Sequence, residues 1–209
     1  MKRKKIQLLF VILICSMFLT CEDEKEEQFV TDIDGNRYEI IRIGSMTWMA
    51  ENLKVTKEKN GNPLESYCYI DKDSKCEEFG RLYPWAEAIK ASPEGWRLPT
   101  EDDWKELETV LGMDPAEADS LGWRGTDQGT RLKEGGSSGF NALLAGYKDG
   151  IVQWDGRYFD IGYFGSFWSA TEYDSLTAIG YFVYISSEKV LKDNYDKTAA
   201  FSVRCIKAD

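Results

Sequence analysis

Histidine is absent from this 209-residue sequence, proline and methionine occur five times each, and basic residues (26) are outnumbered by acidic ones (36). Without histidine there is no His-dependent nucleophilic triad, no His-ligated zinc and no imidazole acid–base chemistry. A formal charge of −10 sets most of the surface against nucleic-acid phosphates. Low-complexity and proline-rich stretches are missing too, so no second composition regime marks a linker. What is present is apolar and aromatic: 43% and 13% of residues, with seven tryptophans, enough for a substantial core.

The N-terminus reads as an address. Lys2, Arg3, Lys4 and Lys5 precede an apolar run from Ile6 to Leu19, the pattern of a secretory signal over residues 1–20. An uncleaved anchor is the alternative, although the run falls short of the roughly 20 residues that span a bilayer. Phe18-Leu19-Thr20-Cys21 resembles a lipoprotein lipobox, with Phe18 and Thr20 where Leu and a smaller residue are usual. The likeness implies a lipid on Cys21 as the link to a membrane. The acidic stretch from Glu22 to Glu27 is similar to the tether of Bacteroidetes-type surface lipoproteins. Export to the outer membrane or cell surface is therefore expected, with residues 21–28 as tether and 29–209 as one domain. Without residues 1–20 the chain holds 22 basic and 36 acidic residues, a formal −14.

Within that domain, Asp34-Gly35 ahead of the alternating run Arg37 to Ile43 predicts a turn and strand. Asp32, Asp34 and Asn36 also suggest a calcium loop, but no later acidic ligand follows, which favours turn chemistry. A second strand is expected over 45–53. Thr100 can cap a helix whose first turn is acidic and whose Trp104, Leu107, Val110 and Leu111 share a face up to Gly112. Further helices are predicted over 83–91 and from Asp114-Pro115 to about Gly122. Beyond Phe140 the pattern is strands and loops, with strands over 178–186, 190–191 and 200–206. Helices early and antiparallel strands late make an α+β fold.

Cys68 and Cys76 flank a short polar segment and form the natural disulfide of an exported protein. Closing so short a loop contributes about 2–3 kcal/mol. Cys205, in an alternating apolar segment, reads as a buried thiol.

Five blocks then carry a family resemblance: Trp48 to Leu53 (WMAENL), Phe79 to Trp85 (FGRLYPW), Gly95 to Thr100 (GWRLPT) with Trp104, Phe167 to Tyr173 (FWSATEY), and Phe201 to Lys207 (FSVRCIK). Together they resemble the Fibrobacter succinogenes major paralogous domain, and the Cys68–Cys76 segment suits its pattern. That family is similar to C-type-lectin-like and formylglycine-generating-enzyme-like folds. The resemblance implies a single domain with two main helices, a twisted antiparallel sheet and long loops. It also implies that the strand near Tyr38 lies beside the C-terminal strand near Val203.

Function is less constrained. The expectation is a surface binding or adhesion module, with a glycan as ligand; a structural lipoprotein with an envelope protein partner is the alternative. Between Gly146 and Ser166 aromatic and acidic residues interleave, and exposed rings there can stack on sugars while carboxylates take hydroxyl protons. Tyr147, Trp154, Asp155 and Tyr163 are the candidate ligand residues, with Trp154 and Tyr163 expected to be exposed beside turns. Calcium is the one open cofactor, with Glu172, Asp174, Asp193, Asn194 and Asp196 as candidate oxygen ligands. The lectin-type Glu-Pro-Asn and Trp-Asn-Asp signatures are absent. An enzyme is not expected: formylglycine-generating enzymes use two cysteines near the C-terminal end, where this chain has Cys205 alone, and no catalytic constellation is legible.

Overall fold

The computed structural model describes residues 28–150 and 157–208. Residues 1–27, with Cys21, and residues 151–156, with Trp154 and Asp155, lie outside the described residues.

Strand β1 (Phe29–Thr31) is joined to β2 (Arg37–Ile43) by the Asp-Gly turn, and β3 (Met46–Met49) follows. Asp32 Oδ1 accepts from the backbone N–H groups of Asp34 and Asn36, and its Oδ2 accepts from the Asn36 amide and, at 2.5 Å, from the buried Tyr38 hydroxyl. These acidic residues thus serve turn chemistry. Helix α1 (Asp73–Phe79) comes next, then β4 (Tyr83–Pro84), α2 (Trp85–Ala88) and β5 (Trp96–Arg97). The predicted 83–91 helix shrinks to four residues because Pro84 is extended and Tyr83–Pro84 pairs in a sheet.

The principal helix, α3 (Glu101–Val110), starts as expected at Thr100, in a reciprocal capping box with Asp103. Arg97 grips the Asp103 carboxylate with two N–H groups, tying β5 to the helix start. Helix α4 (Pro115–Ala118) is a single turn rather than a run to Gly122. After it come β6 (Gly122–Arg124), α5 (Gln128–Leu132), β7 (Tyr147–Lys148) and β8 (Tyr158–Phe159). The chain ends with the long strands β9 (Phe164–Glu172), β10 (Thr177–Tyr184) and β11 (Val190–Asp196), then β12 (Ala200–Phe201) and β13 (Ile206–Lys207). The predicted 200–206 strand is therefore two short pieces, with fully buried extended backbone between them.

Among the described residues the strands form three antiparallel sheets, ordered β1-β2-β3-β13-β5, β6-β11-β10-β9 and β4-β12-β7-β8. The expected neighbourhood of Tyr38 and Val203 is corrected by one strand. It is β3, through Trp48 and Ile206, that pairs with the C-terminal strand, and β2 lies outside it. The architecture is α+β, with strands predominating over five α-helices among the described residues.

Strand alternation divides the β6-β11-β10-β9 sheet into two faces. One, with Arg124, Val190, Lys192, Ile179, Tyr181, Val183 and Phe167, is buried beneath α3 and Trp104. Trp104 stacks on Tyr181 with ring centroids 4.7 Å apart. On that face Lys192, wholly buried, gives its three protons to Glu101 Oε1 and the carbonyls of Ala118 and Asp119, each at 2.9 Å. The other face carries Trp168, Phe182, Tyr195 and Leu191, and β12 and β7 cover one part of it. There Phe201 stacks on Trp168 at 4.1 Å, meets Phe182 edgewise and lies tilted against Tyr195.

Candidate functional site

Where that cover stops, the second face opens into a cleft of about 180 Å³, lined by Tyr147, Asp160, Phe164, Ser166, Phe182, Leu191, Asp193 and Tyr195. Register explains the convergence. Phe182 lies opposite Ser166 on one side and Leu191 on the other, and Gly180 lies opposite Asp193. All these residues therefore point the same way. Gly180 is glycine for a steric reason: a Cβ there would sit 2.9 Å from the Phe182 ring and 3.1 Å from Phe201. Tyr147 enters from β7, its ring 5.7 Å from Tyr195 and stacked on Phe159.

The cleft is chemically uneven. Four aromatic rings make its walls and two exposed carboxylates, Asp160 and Asp193, stand at its rim. Among the described residues no lysine or arginine lines it. Burial, and then a side-chain hydrogen bond with Tyr195, keeps the Tyr147 hydroxyl above the ordinary phenol range, so it stays a neutral donor. At the floor the Ser166 hydroxyl is fully buried and finds no hydrogen-bond partner among the described residues. Buried hydroxyls are nearly always paired, so this orphan beneath the cleft lining is an exception, within reach of an outside polar atom only when the neighbouring rings part.

The row Ser166–Phe182–Leu191 continues across the sheet to Trp123 on β6, which pairs with Leu191. Trp123 is 46% exposed and packs edgewise on Tyr184. Four strands at about 4.8 Å spacing make this face about 14 Å wide, longer than a single sugar ring.

Of the candidate residues, Tyr147 lies in the cleft. Tyr163 is 57% exposed but lies in the turn before β9, outside the lining. The proposed calcium ligands do not converge. Alternation sends Asp193 to the cleft face and Asn194 and Asp196 to the opposite one. Asp196 accepts from Thr198, Asp174 accepts from the N–H groups of Leu176 and Thr177, and Glu172 pairs with Lys197. Among the described residues no three acidic or cysteine side chains come together to hold a metal ion. Cys68 and Cys76 are joined in a disulfide, while Cys205 is a fully buried free thiol whose pKa burial pushes up to about 12. Sequence reasoning missed Trp123, Phe182, Leu191 and Tyr195. The turn signal at Gly122 and the unbroken apolar run of β10 were the available cues.

The five sequence blocks meet elsewhere, in the frame. Arg204 is fully buried and donates to Asn52 Oδ1 (2.6 Å) and to the carbonyls of Phe140 (2.5 Å), Asn141 (2.8 Å) and Met49 (3.3 Å). Asn52 in turn donates to the Phe79 carbonyl and the Ser202 hydroxyl. Gly80, at φ +77°, lies so close to Asn52 that a Cβ would approach it within 2.6 Å. Trp168 donates to the Tyr83 carbonyl and Trp85 to that of Ser169. One hydrogen-bonded and stacked interior thus links four of the blocks, and the capping box with Arg97 serves the fifth.

This is an α+β domain whose antiparallel sheets are locked through a buried arginine–asparagine centre. Residues 41–207 match the family model of the Fibrobacter succinogenes major domain, and the chain belongs to that family. No curated protein and no solved structure matches the chain.

Proposed function

We propose that the chain is a binding module whose ligand is a carbohydrate, held in the cleft between β7 and the β9–β11 face and extending toward Trp123. The observation that carries the reading is the concavity itself, where aromatic faces, rim carboxylates and an orphan buried hydroxyl converge. Sugar rings offer apolar C–H faces to aromatic walls and hydroxyls to carboxylates, which matches this division of the lining. We place the fold with C-type-lectin-like domains, a reading supported by β13 lying beside β3, near the start of the domain, and by the long connection between Leu132 and Tyr147. The signal-like N-terminus supports export and a lipid on Cys21.

The test is a glycan-array screen of the purified full chain, repeated with Trp123→Ala and Asp193→Asn. Trp123 is surface-exposed and outside the buried core, so its replacement leaves the unfolding midpoint within error while weakening binding by tenfold or more, the order of one lost aromatic stack. A blank array, or binding indifferent to both variants, refutes the carbohydrate reading. Fatty-acid labelling of cells making the chain or its Cys21→Ser variant tests the anchor; equal labelling of the two refutes it.

A further inference from the structure

Resting on the carbohydrate reading, we infer that the cleft selects sugars carrying a protonated amine, that is, glycans of deacetylated amino sugars. Two features separate a neutral from a cationic ligand here. Sugar hydroxyls can donate to the two rim carboxylates, but only a cationic group also neutralises their charge, and among the described residues no basic side chain of the lining does so. Asp193 Oδ1 accepts from the neighbouring Asn194 N–H at 2.9 Å, leaving its second oxygen toward the cleft rim.

The walls point the same way. Tyr147, Phe164, Phe182 and Tyr195 all line the cleft, with Tyr195 5.7 Å from Tyr147 and 6.0 Å from Phe182 between ring centroids, and aromatic faces with nearby carboxylates are how proteins hold organic ammonium groups. Lys148, the basic residue next to Tyr147 in sequence, is turned away. Its ammonium sits over the Tyr67 ring at 3.7 Å, on the opposite side of β7. The cleft is therefore not already filled by a cation of the adjacent strand. Ser166 adds a feature that the acidic rim does not supply. Its hydroxyl, buried beneath the lining and without a hydrogen-bond partner among the described residues, is a polar group that a sugar oxygen or amine reaches only as the rings part. A net charge of −10 adds a long-range field that concentrates cationic glycans near the surface.

The experiment is titration calorimetry of the full chain with a glucosamine oligosaccharide and with its N-acetylated counterpart of equal length. The proteins are the wild type, Asp160→Asn, Asp193→Asn and the double variant. Asparagine tolerates the positive φ of 61° at position 160 and keeps the Oδ1 acceptor at 193, so neither change disturbs the backbone. The expected result is about tenfold preference for the free amine, the scale of two partly exposed charge contacts. That preference falls toward unity in the double variant and at a pH where the ligand amine is neutral. Equal or tighter binding of the N-acetylated oligomer overturns this inference and leaves the carbohydrate reading standing. Binding of the amine form that survives in the double variant also overturns it, because attraction to the acidic surface at large then explains the preference. If neither oligomer binds and the array is blank, both readings fall.

Discussion

Arg204 is the position where removing one side chain should damage this fold most. Its guanidinium is fully buried, spends four N–H contacts on Asn52 Oδ1 and the carbonyls of Met49, Phe140 and Asn141, and lies over the Phe140 ring at 4.8 Å. Burial lowers its pKa to about 9, which still leaves it charged at neutral pH. Three of its four acceptors are backbone carbonyls, which no mutation removes. In a buried pair of side chains, both partners can be exchanged for apolar groups with little loss. Here Arg204→Met would strand fixed acceptors in the core. Hydrogen bonds to a charged group contribute about 1.5–3 kcal/mol each, offset by the several kcal/mol that desolvating the ion costs. A net loss of about 4 kcal/mol follows, a large share of the 5–15 kcal/mol typical of a whole domain. With a urea m-value of about 2 kcal/mol/M, the midpoint should fall by about 2 M. Arg204→Lys should fall by roughly half as much, since one ammonium cannot reach both Asn52 and Asn141. A midpoint shift below about 0.5 M for Arg204→Met would refute the argument that this centre holds the sheets together.

Reducing the Cys68–Cys76 disulfide frees a loop of eight-residue separation, and chain entropy puts the loss at about 2.5 kcal/mol; urea melts with and without reductant, against Cys76→Ser, measure it, and unchanged midpoints contradict it. Glu108 is paired with Arg124 on a buried face, but Nε and Nη1 of Arg124 lack hydrogen-bond partners among the described residues, and burial raises the Glu108 pKa from 4.5 to about 7 despite the opposing pull of Arg124. Between those pH values the native state holds a proton that the unfolded chain has released, so stability should decline as pH rises from about 4.5 to about 7 and then level. Melts across that range should show the decline in the wild type and its loss in Glu108→Gln; parallel profiles would rule out Glu108 as the cause.

Local chemistry was legible wherever a single segment held all of it. Thr100, with an acid three residues on and an apolar stripe behind, is a complete helix start, and Asp34-Gly35 a complete turn. The Cys68–Cys76 pair was equally local. The misses involve partners far along the chain. Tyr83–Pro84 is a strand because Ala200–Phe201 lies beside it, and α1 starts inside what reads as a polar disulfide loop and runs three residues beyond Cys76. β10 shows no alternation because both its faces are covered, one by α3 and one in part by Phe201, so its sequence says buried without saying which side opens. The cleft suffered most from this. Its residues come from β7, the turn before β9, and β9, β10 and β11, and of them Tyr147 alone was a candidate glycan residue in advance, while Asp193 was a candidate calcium ligand.

The blocks that identify the family and the residues that line the cleft are two different sets, and the packing explains the division. Tryptophans and Arg204 must satisfy buried donors against particular carbonyls, so each needs a fixed neighbour: Trp168 needs Tyr83, Trp85 needs Ser169, Arg204 needs Asn52. Such mutual dependence is what makes a segment recognisable by pattern. Positions on the open half of the β6-β11-β10-β9 sheet make no hydrogen bond to that network, although Leu191 and Tyr195 pack against its Phe201 side. Trp123 and Asp193, both exposed, can therefore be exchanged without disturbing the Arg204 centre, as long as Gly180 keeps Phe182 and Phe201 in close contact. A frame of this kind allows its ligand preference to be rewritten on one sheet face. Family membership accordingly identifies the frame of this chain, and its ligand must be argued from the cleft.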